Sequence, residues 1–321
     1  MRRALVTGIT GQTGSYLAES LTAHGWEVHG AVRTVGEEAR SGAPELHVAD
    51  LTRPDEITTV IERVRPDAVF HLGGLTSVAE SWADPAAYAV TVGGSTAAIL
   101  AAAKRLTDAG HEVRVVNASS AEVFGRAVDQ PQTARTAIAP VTPYGAAKAL
   151  GHHLVQMYRA GGLPAANGIL YNHESPRRPL AFVTRKITHG VAQIAAGRAE
   201  TLTLGNLDAR RDWGWAPDYA EALRLAADAP DDYIIATGVS HSVRDFVAAA
   251  FAAVGVDDWQ PLVRQDPRFM RPNDAPEQRG DPSATEAALG WRRTVGFEEL
   301  VAAMVAADRA ALDEGVTPIS S

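Results

Sequence analysis

Tyr144 and Lys148 stand four residues apart in the stretch Tyr144-Gly145-Ala146-Ala147-Lys148. On a helix that spacing puts both side chains on one face, one turn apart. A lysine held beside a tyrosine favours the phenolate and lowers its pKa toward neutrality, which makes a base able to take a proton from a sugar hydroxyl. Chance makes such a pair rarely here, because Lys104, Lys148 and Lys186 are the only lysines. Upstream lies Val116-Asn117-Ala118-Ser119-Ser120-Ala121-Glu122. Ser120 can hydrogen-bond the hydroxyl that Tyr144 deprotonates. Glu122 sits just beyond an apolar strand, where partial desolvation makes a carboxylate more basic. The plainer alternatives are a surface pair, a capping serine and a solvated glutamate.

A second group suits an anionic dinucleotide. Gly8-Ile9-Thr10-Gly11-Gln12-Thr13-Gly14 lies between an apolar run and a helical pattern. Gly8 lets the chain turn off the strand, Gly11 lets the backbone approach a pyrophosphate, and Gly14 lets the helix pack on the sheet. The helix N-terminus then faces the anion. Arg33 ends the second strand, where an acidic residue would favour NAD; its fork can pair with a 2′-phosphate, which favours NADP. Glu37 and Glu38 follow and oppose that charge. Asp50 suits either a contact to the adenine amine or a cap on the next turn.

These residues need a scaffold. Short apolar runs at 3–7, 27–32, 46–49, 67–72, 112–118 and 165–171 read as strands. Helical spacing appears at 12–24, 54–64, 85–107 and 144–160. The alternation predicts an α/β fold, a doubly wound parallel Rossmann sheet with a smaller, mixed C-terminal substrate lobe. Residues 1–171, with 213–240 returning to them, form the expected cofactor domain. Residues 172–212 and 241–321 form the expected substrate lobe, which closes on a helix at 297–313. Residues 126–143 carry Pro131, Pro140 and Pro143 without periodicity and read as a long loop, a candidate lid.

Composition narrows the function classes. With 46% apolar and 21% charged residues the chain is globular rather than disordered. A net charge of −8 disfavours nucleic acid and anionic membranes as partners. The absence of cysteine excludes disulfides, a thiol nucleophile and thiolate zinc sites. No apolar run approaching a membrane span is expected, and the glycines and threonines of the opening residues argue against export, so a cytoplasmic location is expected. His173 and Glu174 have the look of a metal pair but lack a third ligand, so they read as structural hydrogen bonders and no metal site is expected.

Together these residues resemble the extended short-chain dehydrogenase/reductase family, whose glycine spacing is that of Gly8, Gly11 and Gly14. Longer stretches at 4–21, 27–33, 167–178, 182–188, 204–219, 234–247 and 289–308 are similar to the GDP-mannose 4,6-dehydratases among them. The resemblance implies an NADP-dependent, redox-neutral conversion of a nucleotide-diphosphate sugar to its 4-keto-6-deoxy form, with Ser120, Glu122, Tyr144 and Lys148 catalytic. It adds Thr10, Gln12, Thr13, Leu51 and Leu72 to the cofactor contacts. It assigns Asn172, Lys186, Gly205, Arg211, Arg271 and Asp274 to the substrate. NAD as cofactor, another sugar nucleotide, a C4 epimerase or reductase, and a non-catalytic NADP sensor are the alternatives.

Four departures from the family stand out. Ala121 replaces a hydroxyl residue beside the glutamate, so Glu122 has to serve as base and acid. Gly73-Gly74-Leu75-Thr76-Ser77 replaces a more polar run after the fourth strand. The loop between Arg33 and Asp50 is shorter, which favours a homodimer over a tetramer. Asp274 takes the place of a longer acidic residue, and Glu277-Gln278 replace apolar positions.

Overall fold

The computed structural model describes residues 1–34, 36, 44–269 and 275–315. The first half runs β1 (Arg3–Thr7), α1 (Gln12–Ala23), β2 (Glu27–Val32), β3 (Glu45–Val48), α2 (Pro54–Val64), β4 (Ala68–His71) and α3 (Pro85–Tyr88). It continues through α4 (Ser95–Asp108), β5 (Arg114–Ser120), α5 (Pro143–Ala160) and β6 (Ala165–Leu170). The second half begins β7 (Asn172–Glu174), α6 (Val183–Ala195), β8 (Leu202–Leu204), β9 (Arg210–Trp215), α7 (Ala216–Ala226) and β10 (Asp232–Ile235). It ends with β11 (Ser240–Ser242), α8 (Val243–Ala252), β12 (Val263–Gln265), β13 (Glu277–Gln278), α9 (Ser283–Leu289) and α10 (Phe297–Asp313).

Seven strands form one parallel sheet in the order β10-β6-β5-β4-β1-β2-β3. Its central strands are apolar on both sides because both faces are covered. One face packs Leu17, Leu21 and Leu223 against Phe70 and Val116, with α1 lying on α7. The other packs Leu5 and Val69 against Ile57, Ile61, Ile99 and Leu100. The strand order reverses between β1 and β4, and ligands of such sheets bind at the carboxyl ends beside that point. The C-terminal lobe has its own core of Ile187, Trp213, Phe246, Phe251, Met304 and Val305. Its β9 pairs antiparallel with β11 and parallel with β7 and β13.

Several expectations change. Strand β5 runs on through Ser119 and Ser120, past the predicted end at 118, because it stays paired with β6 as far as Leu170. The helix expected at 85–107 is a helical run from Pro85 to Asp108 interrupted by a π turn at Ala89–Gly94. A Cβ on Gly93 of that turn would sit 2.7 Å from Leu150 Cδ2, so the bulge brings α5 close. This run is long and apolar enough to cross a membrane, contrary to expectation, but just over half of its most apolar window is buried inside the protein. The lid expected at 126–143 is stitched down. Gln132, fully buried, donates its N–H to Arg279 O (2.8 Å), accepts from Asp281 N (2.8 Å), and takes the Tyr171 hydroxyl on Oε1 (2.5 Å).

Candidate active site

The glycine turn between β1 and α1 is set by close approach. Gly8 has φ +69°, the left-handed region that glycine adopts at no steric cost, and a Cβ there would lie 2.8 Å from Gly73 N. A Cβ on Gly14 would lie 2.1 Å from Gly8 O, so α1 crosses the turn too closely for any side chain. Gly11 N donates to Gly8 O at 3.0 Å and closes the loop, with Thr10 partly exposed at its crest. The first-turn N–H groups of α1 have no acceptor within the helix, and they sit beside the strand-order reversal. A cradle of this shape fits a pyrophosphate.

Around it the sequence-predicted contacts divide. Leu51 and Leu72 flank the turn: a Cβ on Gly73 would meet Leu51 Cδ1 at 2.7 Å, and Leu72 N donates to Thr7 Oγ1 at 3.1 Å. Gln12 and Thr13 point their side chains elsewhere. Gln12 donates to His173 O (2.9 Å) and accepts from Ser175 (2.7 Å), while Thr13 Oγ1 meets His173 Nε2 at 2.7 Å. What these two offer an anion is therefore backbone. Arg33 is exposed just after β2. Asp50 Oδ1 accepts from both the N–H and the hydroxyl of Thr52 at 2.9 Å, which makes it a turn cap. Those hydrogen bonds, helped by the nearby charges of Arg53 and Arg33, hold its carboxyl below the usual range.

The reasoning from sequence missed the pin beneath this turn. Thr7 Oγ1 also accepts from Gly73 N at 2.9 Å and meets His71 Nδ1 at 2.8 Å, and His71 Nε2 meets Ser95 Oγ at 3.0 Å. Burial lowers His71 to about 3, so it stays neutral. The available signal was two polar residues closing otherwise apolar strands.

Ser120 ends β5 and caps a short 3-10 turn, Ala121–Phe124, that presents Glu122. Its Oγ accepts from Glu122 N at 3.2 Å and lies close enough to the Tyr144 side chain to favour its phenolate. The capping reading of Ser120 thus holds. Tyr144 lies in the first turn of α5, where Pro143 supplies a preset φ and Thr142 Oγ1 accepts from Gly145 N at 3.0 Å. A Cβ on Gly145 would come within 2.7 Å of Glu122 O, so this glycine lets α5 close on the 3-10 turn. Tyr88 meets the Tyr144 ring edge-on, centroids 6.2 Å apart.

The electrostatics differ from expectation. Burial pushes the Tyr144 phenol up to about 12, and the Ser120 hydroxyl and Arg178 only partly offset it. Lys148 does not lower it toward neutrality: its Nζ lies 5.9 Å from the Tyr144 ring centre and donates to Ala118 O at 2.7 Å. Burial also brings the Lys148 ammonium down to about 8. Desolvation wins at both residues in the polypeptide alone.

The C-terminal lobe supplies the remaining residues. Asn172 lies on β7 opposite Trp213 of β9. Lys186 on α6 stacks its Nζ 3.8 Å over the Phe269 ring, and a Cβ on Gly205 would meet Phe269 O at 2.4 Å, so both gather at Phe269. Burial lowers the Lys186 ammonium, with Asp266 opposing. Arg211 on β9 is buried and donates Nη1 to Ala275 O at 2.9 Å. Arg271 and Asp274 lie outside the described residues. Sequence reasoning gave no role to Gln278, whose Nε2 donates to Glu122 Oε1 at 3.1 Å, or to Arg178, which lies 3.7 Å over the Phe182 ring and acts on Tyr144.

His173 and Glu174 are hydrogen bonders. His173 stacks on Tyr219 with centroids 4.8 Å apart, and its Nδ1 meets Tyr171 O at 2.8 Å. Glu174 accepts from Thr184 at 2.6 Å. Among the described residues one group, His29, Glu45 and His47, has metal-ligand spacing. Its imidazole nitrogens are already engaged: His29 Nδ1 with His47 Nε2 (2.9 Å), His29 Nε2 with Glu27 (3.0 Å), His47 Nδ1 with Arg63 (2.7 Å).

A sequence model of the family described as GDP-mannose 4,6 dehydratase matches residues 5–304. GDP-mannose 4,6 dehydratase 2 of Arabidopsis thaliana is 41% identical over 95% of this chain and 86% of its own. The GDP-mannose 4,6-dehydratase of Vibrio cholerae is 38% identical over 96% of this chain and 94% of its own. Among solved structures, the UDP-glucose 4-epimerase of Thermus thermophilus in complex with NAD superposes with a TM-score of 0.82 at 26% identity, covering 96% of this chain and 99% of that one. A matched family model that spans nearly the whole chain, on a fold with its Ser120, Glu122 and Tyr144 brought together, leads to one conclusion: the chain belongs to the GDP-mannose 4,6-dehydratase family.

Proposed function

We propose that this chain is an NADP-dependent nucleotide-sugar 4,6-dehydratase, a hydro-lyase acting on GDP-mannose or a close relative. The observation that carries the reading is Glu122 set one short turn beyond Ser120, whose hydroxyl lies beside Tyr144. A C4 epimerase or reductase needs no carboxylate there. NADP, when bound, supplies the reversible two-electron chemistry that makes the overall conversion redox-neutral. The turn at Gly8, Gly11 and Gly14 would hold its pyrophosphate, and the exposed Arg33 would pair with a 2′-phosphate.

The chain's own residues do the proton work. Ser120 orients the sugar C4 hydroxyl, and Tyr144 takes its proton as C4 is oxidised. Positive charge brought close to Tyr144 favours the phenolate and so opposes the desolvation that holds the phenol near 12. The C4 ketone acidifies the C5 hydrogen. Glu122 takes that proton, the C–H electron pair forms the C5–C6 double bond, and the C6 hydroxyl leaves. Because residue 121 is alanine, the proton that makes it water comes from Glu122 itself. One carboxylate thus serves as base at C5 and then as acid at the C6 oxygen; as C6 is reduced, C5 takes up one proton from solvent, which closes the balance and gives the 4-keto-6-deoxy sugar.

The division of labour follows the chain: residues 1–171 with 213–240 for cofactor, 172–212 and 241–321 for the nucleotide sugar. Asn172, Lys186, Gly205, Arg211, Arg271 and Asp274 are proposed for the latter. A homodimer is supported by Leu150 and Met157, apolar residues exposed on α5 seven positions apart and so on one face. A cysteine-free chain suits the reducing cytoplasm. The test is incubation with a panel of nucleotide sugars in deuterium oxide. The expected product is lighter by one water before isotope, and carries deuterium at C5. A product without deuterium at C5 overturns the mechanism.

A further inference from the structure

We infer that Gln278 is a positioning residue for the Glu122 carboxylate, fixing one of its oxygens so that the other can shuttle the proton between C5 and the C6 hydroxyl. This rests on the dehydratase reading of the site. Gln278 Nε2 donates to Glu122 Oε1 at 3.1 Å across a sequence separation of 156 residues. Gln278 is buried, 3% exposed, whereas Glu122 is half-buried on a short turn. An ionised carboxylate is acceptor-only, so the amide must present its nitrogen to it. The contact is therefore a charge-assisted donation with a defined direction.

The amide is held from both sides. Its strand β13 pairs with β9, with Gln278 in register with Arg211. The next residue, Arg279, donates its N–H to Gln130 Oε1 at 3.1 Å, and its carbonyl accepts from Gln132 N at 2.8 Å. Before it, Glu277 O accepts from Gln130 Nε2 at 3.4 Å and the Glu277 carboxylate accepts from Ser240. A side chain on so fixed a backbone loses little further freedom in holding its partner. It is also a neutral donor. An arginine there would hold Glu122 as an ion pair and weaken it as a base, and a leucine would leave the carboxylate free to rotate.

The chemistry explains why such a hold is needed. With Ala121 offering no hydroxyl, the same carboxylate takes the C5 proton and delivers it to the leaving C6 oxygen. With Oε1 anchored, the other oxygen is held in one place for both transfers. The register with Arg211 adds a link: the strand pair that carries this arginine, proposed for the nucleotide, also carries the amide that holds the base.

The experiment is rapid mixing of the enzyme, loaded with NADP, with GDP-mannose, following nicotinamide absorbance and product by mass spectrometry. In Gln278→Met, which keeps the volume and removes the donor, kcat falls roughly 10- to 100-fold, the size of a lost hydrogen bond to a charged group. KM stays within about threefold, the range of a residue that does not bind substrate directly. C4 oxidation proceeds at the wild-type rate while elimination slows, so reduced cofactor accumulates transiently where the wild type shows little. A structural stitch would not produce that partition. An unchanged kcat and transient overturn the assignment, as does an equal slowing of C4 oxidation and elimination. If Gln278→Met does not fold, Gln278→Glu keeps shape and polarity, replaces the donor with an acceptor, and reads the same partition. Wild-type enzyme that yields no dehydrated product overturns the underlying reading instead, and this assignment with it.

Discussion

Replacing Lys148 with methionine should make the protein more stable at neutral pH. The ammonium is buried and its pKa falls from 10.5 to about 8 through desolvation. That gap corresponds to roughly 3 kcal/mol spent on keeping it charged at neutral pH. Its hydrogen bond to Ala118 O returns part of this; leaving that carbonyl unpaired costs about 1–2 kcal/mol. Lys148→Met should therefore raise unfolding free energy at pH 7 by on the order of 1–2 kcal/mol. The pH dependence separates this from better packing. Because the folded pKa lies below the unfolded one, the cost is absent above pH 10.5, grows as pH falls toward 8, and is complete below 8. As pH rises through that window, wild type gains stability relative to Lys148→Met with a slope approaching about 1.4 kcal/mol per pH unit. Urea unfolding of nucleotide-free protein at several pH values, read by tryptophan fluorescence, measures it. A methionine variant destabilised at pH 7, or a stability difference that does not change between pH 8 and 10.5, would refute the reasoning.

Further outcomes follow from the same geometry. Gly14→Ala drives a Cβ to 2.1 Å from Gly8 O; it should cost at least roughly 1–3 kcal/mol of stability and abolish nucleotide binding, measured by thermal unfolding and calorimetry. Arg33→Ala should weaken NADP roughly 10- to 100-fold and leave NAD nearly unchanged, as a charge-assisted hydrogen bond to the 2′-phosphate requires; equal losses for both would exclude that contact. Glu122→Gln should keep C4 oxidation but lower formation of the dehydrated product by roughly 100- to 10,000-fold, the usual worth of a general base. Leu150→Glu with Met157→Glu should shift the protein to a monomer in sedimentation, since both side chains are exposed on one face of α5.

The sheet was legible because its signals are local. Each central strand is a short apolar run between turn residues, and β1, β2 and β6 begin where the pattern places them. The glycine turn and the Tyr144–Lys148 pair were legible for the same reason: their spacing within one element carries their geometry. What could not be read were contacts between distant segments. Gln278 reaches Glu122 only because β13 pairs with β9, and a two-residue strand has no periodicity to betray it. The stitching of Gln132 to residues 279–281 likewise depends on the fold being closed. The phenol's pKa was misjudged because spacing reveals neighbours but not burial. Lys148 is on the expected face, yet its charge is directed to a carbonyl of β5.

The seventh strand has a consequence for how the chain is made. β6 ends at Leu170, but its outer neighbour β10 begins only at Asp232. During synthesis at about 5–20 residues per second, the edge of β6 stays bare for several seconds while the intervening stretch leaves the ribosome. Helix α1 waits about three times as long for α7 to cover it. A chain cut anywhere between these partners would keep the nucleotide turn and lose the wall that shelters it, so the newborn protein is most vulnerable to sticking to its neighbours just before its second half arrives.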